Sequence, residues 1–199
     1  LSGGLRTDFN DYSKEMSNPL DQLSPRISAS YQLLKKWFLN FNTGRYFQLP
    51  AYTVLGYRNA AGELVNKSNN VTYIQSDHVV FGVEHLPGEN TKISVESFYK
   101  KYNRYPMLVN EQISLANLGS DFGVIGNAPV TSTSEGRSYG FEVLAQRTIK
   151  KGFYGIMAYT FVKSEFKNAV SNNYVPSAWD NRHILTITGG KQFKNNWEV

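Results

Sequence analysis

Between residues 23 and 51 the chain reads LSPRISASYQLLKKWFLNFNTGRYFQLPA, and its hydrophobic period is two. Ile27, Ala29, Tyr31 and Leu33 alternate with Ser28, Ser30 and Gln32. After a basic joint at residues 34–37, Leu39, Phe41 and Thr43 alternate with Asn40, Asn42 and Gly44. Alternation of this kind marks strands with one apolar and one wet face. A tight turn between two such runs predicts an antiparallel hairpin. Both far ends lead into long polar segments, so one end of the hairpin is short and the other long. A soluble sandwich tends to have short turns at both ends. A membrane barrel turns its apolar face to lipid and its polar face to a wet lumen, with short periplasmic turns and long extracellular loops.

The asymmetry repeats. A second hairpin is expected from residues 73–85 and 92–102 around a turn at 86–90, with Val79, Phe81, Val83 and Val95 on one face. A third descending strand spans 138–147, followed by a short turn at 148–152. The next strand, 153–164, is apolar on both faces, so its outward side is not assigned from the pattern. Residues 181–192 form a further strand, and a last partial one begins at Trp197. A short strand at residues 5–9 opens the series, and a small hairpin is expected near Ala61 and Gly62. The longest stretch without a strand signal runs from Asn103 to Arg137, about 35 residues, too long for an ordinary connection. Its apolar pieces, at 113–115 and 122–125, are expected to fold back toward the rim. The polar stretch 165–180, with Pro176 and Trp179, is a further loop. The count is about nine strands, with four short turns alternating with four long loops. Trp37, Phe153, Phe193 and Trp197 lie near the short turns, as an aromatic girdle at the membrane boundary requires.

Composition removes several classes. No apolar run approaches the roughly 18 residues of a membrane helix, which leaves a barrel untouched. With no cysteine among 199 residues, disulfide frameworks and thiolate metal sites are excluded. The net charge of +5 is scattered in pairs such as Lys35-Lys36, Lys100-Lys101 and Lys150-Lys151, so nucleic acid is not an expected partner. His78, His85 and His183 have no metal-ligand spacing, and no cofactor is expected. Asp77 and Glu84 fall on opposite strand parities, which argues against a carboxylate pair, and no catalytic constellation is found. Gly189-Gly190 reads as a bend or close-packing site. Asn66-Lys67-Ser68 and Asn70-Val71-Thr72 match the glycosylation pattern by chance.

Several phrases resemble a known family. Gln22-Leu23-Ser24-Pro25-Arg26-Ile27-Ser28, Gly44-Arg45-Tyr46-Phe47-Gln48-Leu49-Pro50, Gly136-Arg137-Ser138-Tyr139-Gly140-Phe141-Glu142, Ala158-Tyr159-Thr160 and Asp180-Asn181-Arg182-His183 are similar to TonB-dependent outer-membrane receptors. Their order and spacing carry the resemblance along nearly the whole chain. It implies an all-β, antiparallel up-and-down transmembrane barrel of the 22-stranded type around an N-terminal plug, in the outer membrane of a Gram-negative cell. It also implies uptake of a siderophore, haem, cobalamin, oligosaccharide or peptide, powered by the TonB complex. Residues 1–199 would be part of the barrel domain. Nothing in them looks like the plug or the TonB-binding segment, and no closing strand with an aromatic end is present. The first residues carry no charged leader followed by an apolar core, so no signal peptide is expected there, and the chain stops in mid-strand at Val199; both ends are expected to be fragment boundaries. The partners expected are membrane lipid, a nutrient ligand, and TonB through the part that is not here.

Ligand contact is expected at the extracellular end of the lumen. The candidates are Arg45, Tyr46 and Gln48 as lumen-facing residues at the upper strand ends, with Tyr52, Tyr57, Tyr105 and Trp179 as loop aromatics. The plainer reading of the aromatics, loop packing or an interfacial belt, weighs more than ligand contact. Two rival readings stand beside the receptor. One is another outer-membrane barrel, a porin or adhesin. The other is a soluble all-β carbohydrate-binding module, for which the faces of Ile27, Phe41, Phe81, Val95 and Phe141 should be covered by a second layer.

Overall fold

The computed structural model describes the chain except residues 120–124, 151 and 194–196. One antiparallel sheet holds nine strands: β1 (Ser2–Arg6), β2 (Ser24–Leu34), β3 (Trp37–Gln48), β4 (Ile74–Gly88), β5 (Thr91–Leu108), β6 (Val130–Lys150), β7 (Phe153–Lys167), β8 (Tyr174–Pro176) and β9 (Arg182–Lys191). Each strand from β1 to β7 pairs with the next, as an up-and-down meander requires. β8 and β9 both pair with β7, β8 along its upper end and β9 along the rest. The sheet remains open in this chain, its order running from β1 to β8 without closure.

Register aligns one face across the sheet. Ile27 pairs with Thr43, Phe41 with Phe81, Val83 with Val95, Val95 with Val143, Val143 with Tyr159 and Tyr159 with Leu185. Odd-numbered residues therefore share one face along the membrane-depth rungs, and even-numbered residues share the other. This assigns the outward side of β7, which carries Met157, Tyr159 and Phe161. Ile27, Phe41, Phe81, Val95 and Phe141 are between 39 and 51% exposed, because no second layer covers them. A soluble module would have buried these side chains; a barrel wall presents them to lipid. Trp37 and Phe153 sit on this same face beside the short turns, Trp37 stacked on His85 at 4.1 Å.

The short turns are tighter than the pattern suggests. β4 runs on to Gly88, with a bulge after His85, leaving Glu89 and Asn90 as the turn. Lys35 and Lys36 join β2 to β3, and Lys36 adopts a φ of 71°. Lys151 lies outside the described residues, as do 194–196 of the last turn and Phe122 of the apolar loop piece.

Several boundaries differ from expectation. β1 is Ser2–Arg6, and Phe9 lies beyond it. The stretch from Asn103 to Arg137 is not one loop, since β5 continues to Leu108 and β6 begins at Val130. Residues 165–180 are likewise part strand, with β7 reaching Lys167 and β8 folding back on it. Above the membrane lipid no longer imposes an alternation, and the cap buries residues of both parities there (Met107, Leu108, Val130 and Phe166), so these extensions carry no period to detect. The ninth strand is β8; the segment after Trp197 makes only an isolated bridge, Gln192 to Glu198. The small hairpin near Gly62 is a turn closed by an Arg58–Leu64 bridge. At Gly190 an added Cβ would strike the Tyr154 ring, which accounts for the glycine by close packing.

The buried core belongs to the long loops. Met16, Val54, Leu55, Val71, Tyr73, Leu108, Leu115 and Val130 form one cluster drawn from three loops and the strand ends that border them. Polar ties join the loops pairwise. The Tyr12 hydroxyl donates to the Leu55 carbonyl (2.8 Å), and the Asn117 amide donates to the carbonyls of Val175 and Pro176 (3.0 and 2.9 Å). Buried Asn66 binds Val54, Ala128 and Val130 at once. The loops thus make a packed cap over the upper end of the sheet.

Candidate functional site

Beneath this cap the even-numbered face forms a recess of about 660 Å³. Arg26 from β2, Tyr46 and Gln48 from β3, Ser76 and His78 from β4, and Tyr102 and Tyr105 from β5 line it. Arg6, Asp8 and Tyr73 close its outer edge. Local sequence explains the arrangement. Arg26 pairs in register with Gly44, where an added Cβ would lie 3.0 Å from Arg26 Cγ and 3.3 Å from the Tyr46 ring. The missing side chain lets the Arg26 guanidinium lie 4.4 Å from the centre of the Tyr46 ring. Tyr46 is in turn 4.5 Å from the His78 ring, and His78 Nε2 is 2.6 Å from Ser76 Oγ.

The charge of the recess is unbalanced. Arg6 is neutralised by Asp8 at 2.6 Å. Arg26 has no carboxylate partner among the described residues, and its buried Nε has no hydrogen-bond acceptor. Burial first, and then the nearby Asp8 carboxylate, raise the Tyr73 hydroxyl above its ordinary pKa, so it stays a neutral donor and acceptor. An unpaired guanidinium over an aromatic floor is suited to an anionic group attached to a flat body.

Of the residues expected to contact ligand, Tyr46, Gln48 and Tyr105 come together in the recess. Arg45 does not. It lies on the outward face with Phe41, bound to Asp77 through Nε–Oδ1 at 2.7 Å and Nη2–Oδ2 at 3.3 Å. The reason is parity: four residues from Phe41, Arg45 must share its face. Tyr52 is 82% exposed on the cap surface, and Tyr57 is half-buried in the same loop. Trp179 packs edge-on against Phe166 at 6.0 Å and lies 6.5 Å from Tyr105. Phe166 is fully buried under Tyr102 and Tyr105, and it lies over Gly136, where any Cβ would enter its ring. Trp179 therefore packs on the aromatic roof with one edge while remaining 46% exposed. Arg26, His78 and Tyr102 were missed, although their even numbers put them on the face of Tyr46. Among the described residues no three of His, Asp or Glu converge on a point that could hold a metal.

A one-layer antiparallel meander with an apolar outer face, a polar inner face and a packed loop cap defines the wall of an outer-membrane barrel. The family model described as TonB dependent receptor-like, beta-barrel matches residues 1–198, and the chain belongs to that family. Solved structures share the fold. The alcaligin outer-membrane receptor FauA from Bordetella pertussis is 13% identical, with a TM-score of 0.56 over 87% of this chain and 27% of that one. The ferripyoverdine receptor of Pseudomonas aeruginosa is 16% identical, with a TM-score of 0.59 over 87% and 21%. The FrpB iron transporter from Neisseria meningitidis is 11% identical, with a TM-score of 0.55 over 88% and 25%. No curated protein matches by sequence. The chain thus spans about a quarter of the length of these receptors. The family consists of outer-membrane transporters and receptors of Gram-negative bacteria.

Proposed function

We propose that the chain supplies part of the barrel wall and extracellular cap of an active nutrient transporter in the outer membrane, and that the recess around Arg26 and Tyr46 takes an anionic ligand. The observation that carries this reading is the unpaired Arg26 guanidinium held against Tyr46 on the lumen side, directly below the cap. A ligand entering between the loops meets this surface first. Release inward would follow rearrangement of a plug drawn by TonB, both supplied by the rest of the receptor. Haem carries carboxylates on a flat body, and catecholate-type ferric chelates carry negative charge beside aromatic rings; both fit the recess better than neutral oligosaccharides do. Solved relatives described as receptors for alcaligin and ferripyoverdine lend this class support.

In the whole receptor, Arg26→Gln should weaken binding of an anionic ferric chelate about tenfold to a hundredfold, the worth of one charge-assisted contact of about 1.5–3 kcal/mol. Tyr46→Ala should weaken it by a similar factor. Calorimetric titration of a panel containing siderophores, haem, cobalamin and a neutral oligosaccharide is the check. Unchanged affinity for every anionic member in Arg26→Gln, with the neutral sugar bound tightly, would remove the anion reading.

A further inference from the structure

A second cleft opens in the cap, apart from the recess and sharing none of its lining residues. It holds about 380 Å³, within the roughly 300–1,000 Å³ of small-molecule pockets. Glu15 and Asp21 from the loop between β1 and β2, Asn70 and Thr72 from the loop between β3 and β4, Arg104 from β5 and Ser132 from β6 line it. Hydrogen bonds hold its walls together. The Asn69 amide donates to the Val130 carbonyl at 3.0 Å, and the Thr72 N–H donates to Ser132 Oγ at 3.0 Å. At the bulge between Tyr102 and Tyr105, Arg104 takes a φ of 58°. It lines the cleft, while those two tyrosines line the recess.

Groups of three kinds lack partners here among the described residues. Thr72 is 6% exposed, and its buried hydroxyl makes no hydrogen bond. A hydroxyl shut away from water is ordinarily bonded, and the neighbouring Thr131 and Thr133 hydroxyls do bond each other, at 2.9 Å. The Arg104 guanidinium has neither a carboxylate nor another acceptor, and lies 6.0 Å from the Phe47 ring. The Glu15 and Asp21 carboxylates have no cation. Opposite charges that share a cleft without touching leave room for a ligand between them. A small anion would face two carboxylates, and a small cation would face the guanidinium. A sugar lacks the charge to answer either, and among the described residues no aromatic ring lines the cleft to carry its apolar face.

We infer that the cleft binds a small zwitterion, an amino acid or short peptide, with its carboxylate on Arg104 and Thr72 and its ammonium between Glu15 and Asp21. A guanidinium meets a carboxylate through two parallel bonds, and the Thr72 hydroxyl adds a donor to the same group. The two acids accept from the N–H groups of the ammonium. The site stands apart from the anion recess, so neither assignment depends on the other.

The test titrates the whole receptor in detergent with L-alanine, L-alanyl-L-alanine, N-acetyl-L-alanine, L-alaninamide and glucose, followed by ligand-observed NMR. Alanine or dialanine should bind, and the tighter of the two shows whether the ligand is a free amino acid or a peptide. Blocking either charge, as N-acetylalanine and alaninamide do, should weaken binding about tenfold or more, and so should Arg104→Gln or Asp21→Asn. Thr72→Val should weaken it about threefold or more. The same variant should keep its unfolding temperature, because the hydroxyl it removes binds nothing within the described chain. A lower unfolding temperature with unchanged affinity makes that hydroxyl structural and overturns the inference. So does no binding of alanine or dialanine, glucose bound in their place, equal binding of the blocked compounds, or unaltered affinity in both charge variants. An equal loss in Arg26→Gln would put the zwitterion in the recess and overturn the cleft as its site.

Discussion

Replacing Val95 with arginine should prevent stable assembly of the receptor in a membrane, whereas replacing the adjacent Glu96 with arginine should be tolerated. Val95 sits in the middle of the outward face, paired with Val83 on one side and Val143 on the other. Leu39, Tyr159 and Leu185 continue the same rung. The side chain is 45% exposed in the isolated sheet and would be covered by acyl chains in a bilayer. An arginine at barrel mid-depth costs about 2–4 kcal/mol. Glu96 points the other way, against Gly82, where its Cγ would lie 2.9 Å from an added Cβ. Arginine there remains in the wet lumen, with a cost within about 0.5 kcal/mol. Reconstitution yield and urea unfolding in phosphatidylcholine bilayers compare the two. Equal tolerance, or greater damage from Glu96→Arg, would mean that the faces have been assigned the wrong way round.

The hairpins were legible because lipid imposes a strict rule on alternate residues. Ile27 to Leu33 and Val79 to Val83 are apolar at every second position, and β7, apolar on both faces, is where the pattern fails to name the outward side. Above that depth the rule lapses. In Thr131-Ser132-Thr133-Ser134-Glu135-Gly136 both faces are polar, so the upper part of β6 looked like loop, as did the end of β5 beyond Tyr102. The cap core was illegible for another reason. Met16, Val54, Val71 and Leu115 come from separate loops, and the helical turns that present the first two span only four residues. No period can be read over such a length. The site was half legible. Tyr46 and Gln48 are legible as lumen-side residues at an upper strand end and Tyr105 as a loop aromatic, and the three share the recess, whereas assigning Arg45 to the lumen goes against its own parity. Counting back by two from Tyr46 to Gly44, and across the hairpin to Arg26, identifies the cation that lines the recess.

The cap should depend on one amide. Asn66 is fully buried, donating through Nδ2 to the carbonyls of Val54 (2.7 Å) and Ala128 (3.0 Å) and accepting from the Val130 N–H through Oδ1 (2.8 Å). It therefore joins the loop between β3 and β4 to the loop between β5 and β6. Such burial also explains why its match to a glycosylation pattern has no chemical meaning, since the amide faces no solvent. Asn66→Leu fills the space but leaves two acceptors and one donor unpaired, at about 1–3 kcal/mol each before relaxation. Local opening of the cap should become easier by about 3 kcal/mol, and amide exchange at Val71, Asn69 and Gly56 faster by about a hundredfold. Strand amides between β4 and β6 should keep their protection, because their ladder bonds do not pass through Asn66. Tyr73 and Tyr105 touch both the cap core and the recess, so the ligand would meet a site that is assembled for less of the time. Apparent affinity should fall in proportion to the closed fraction, while a charge-dependent defect such as that of Arg26→Gln leaves exchange unaltered. Hydrogen–deuterium exchange of the whole receptor separates the two. Unchanged exchange at Val71 in Asn66→Leu would show that the loops hold together without this residue.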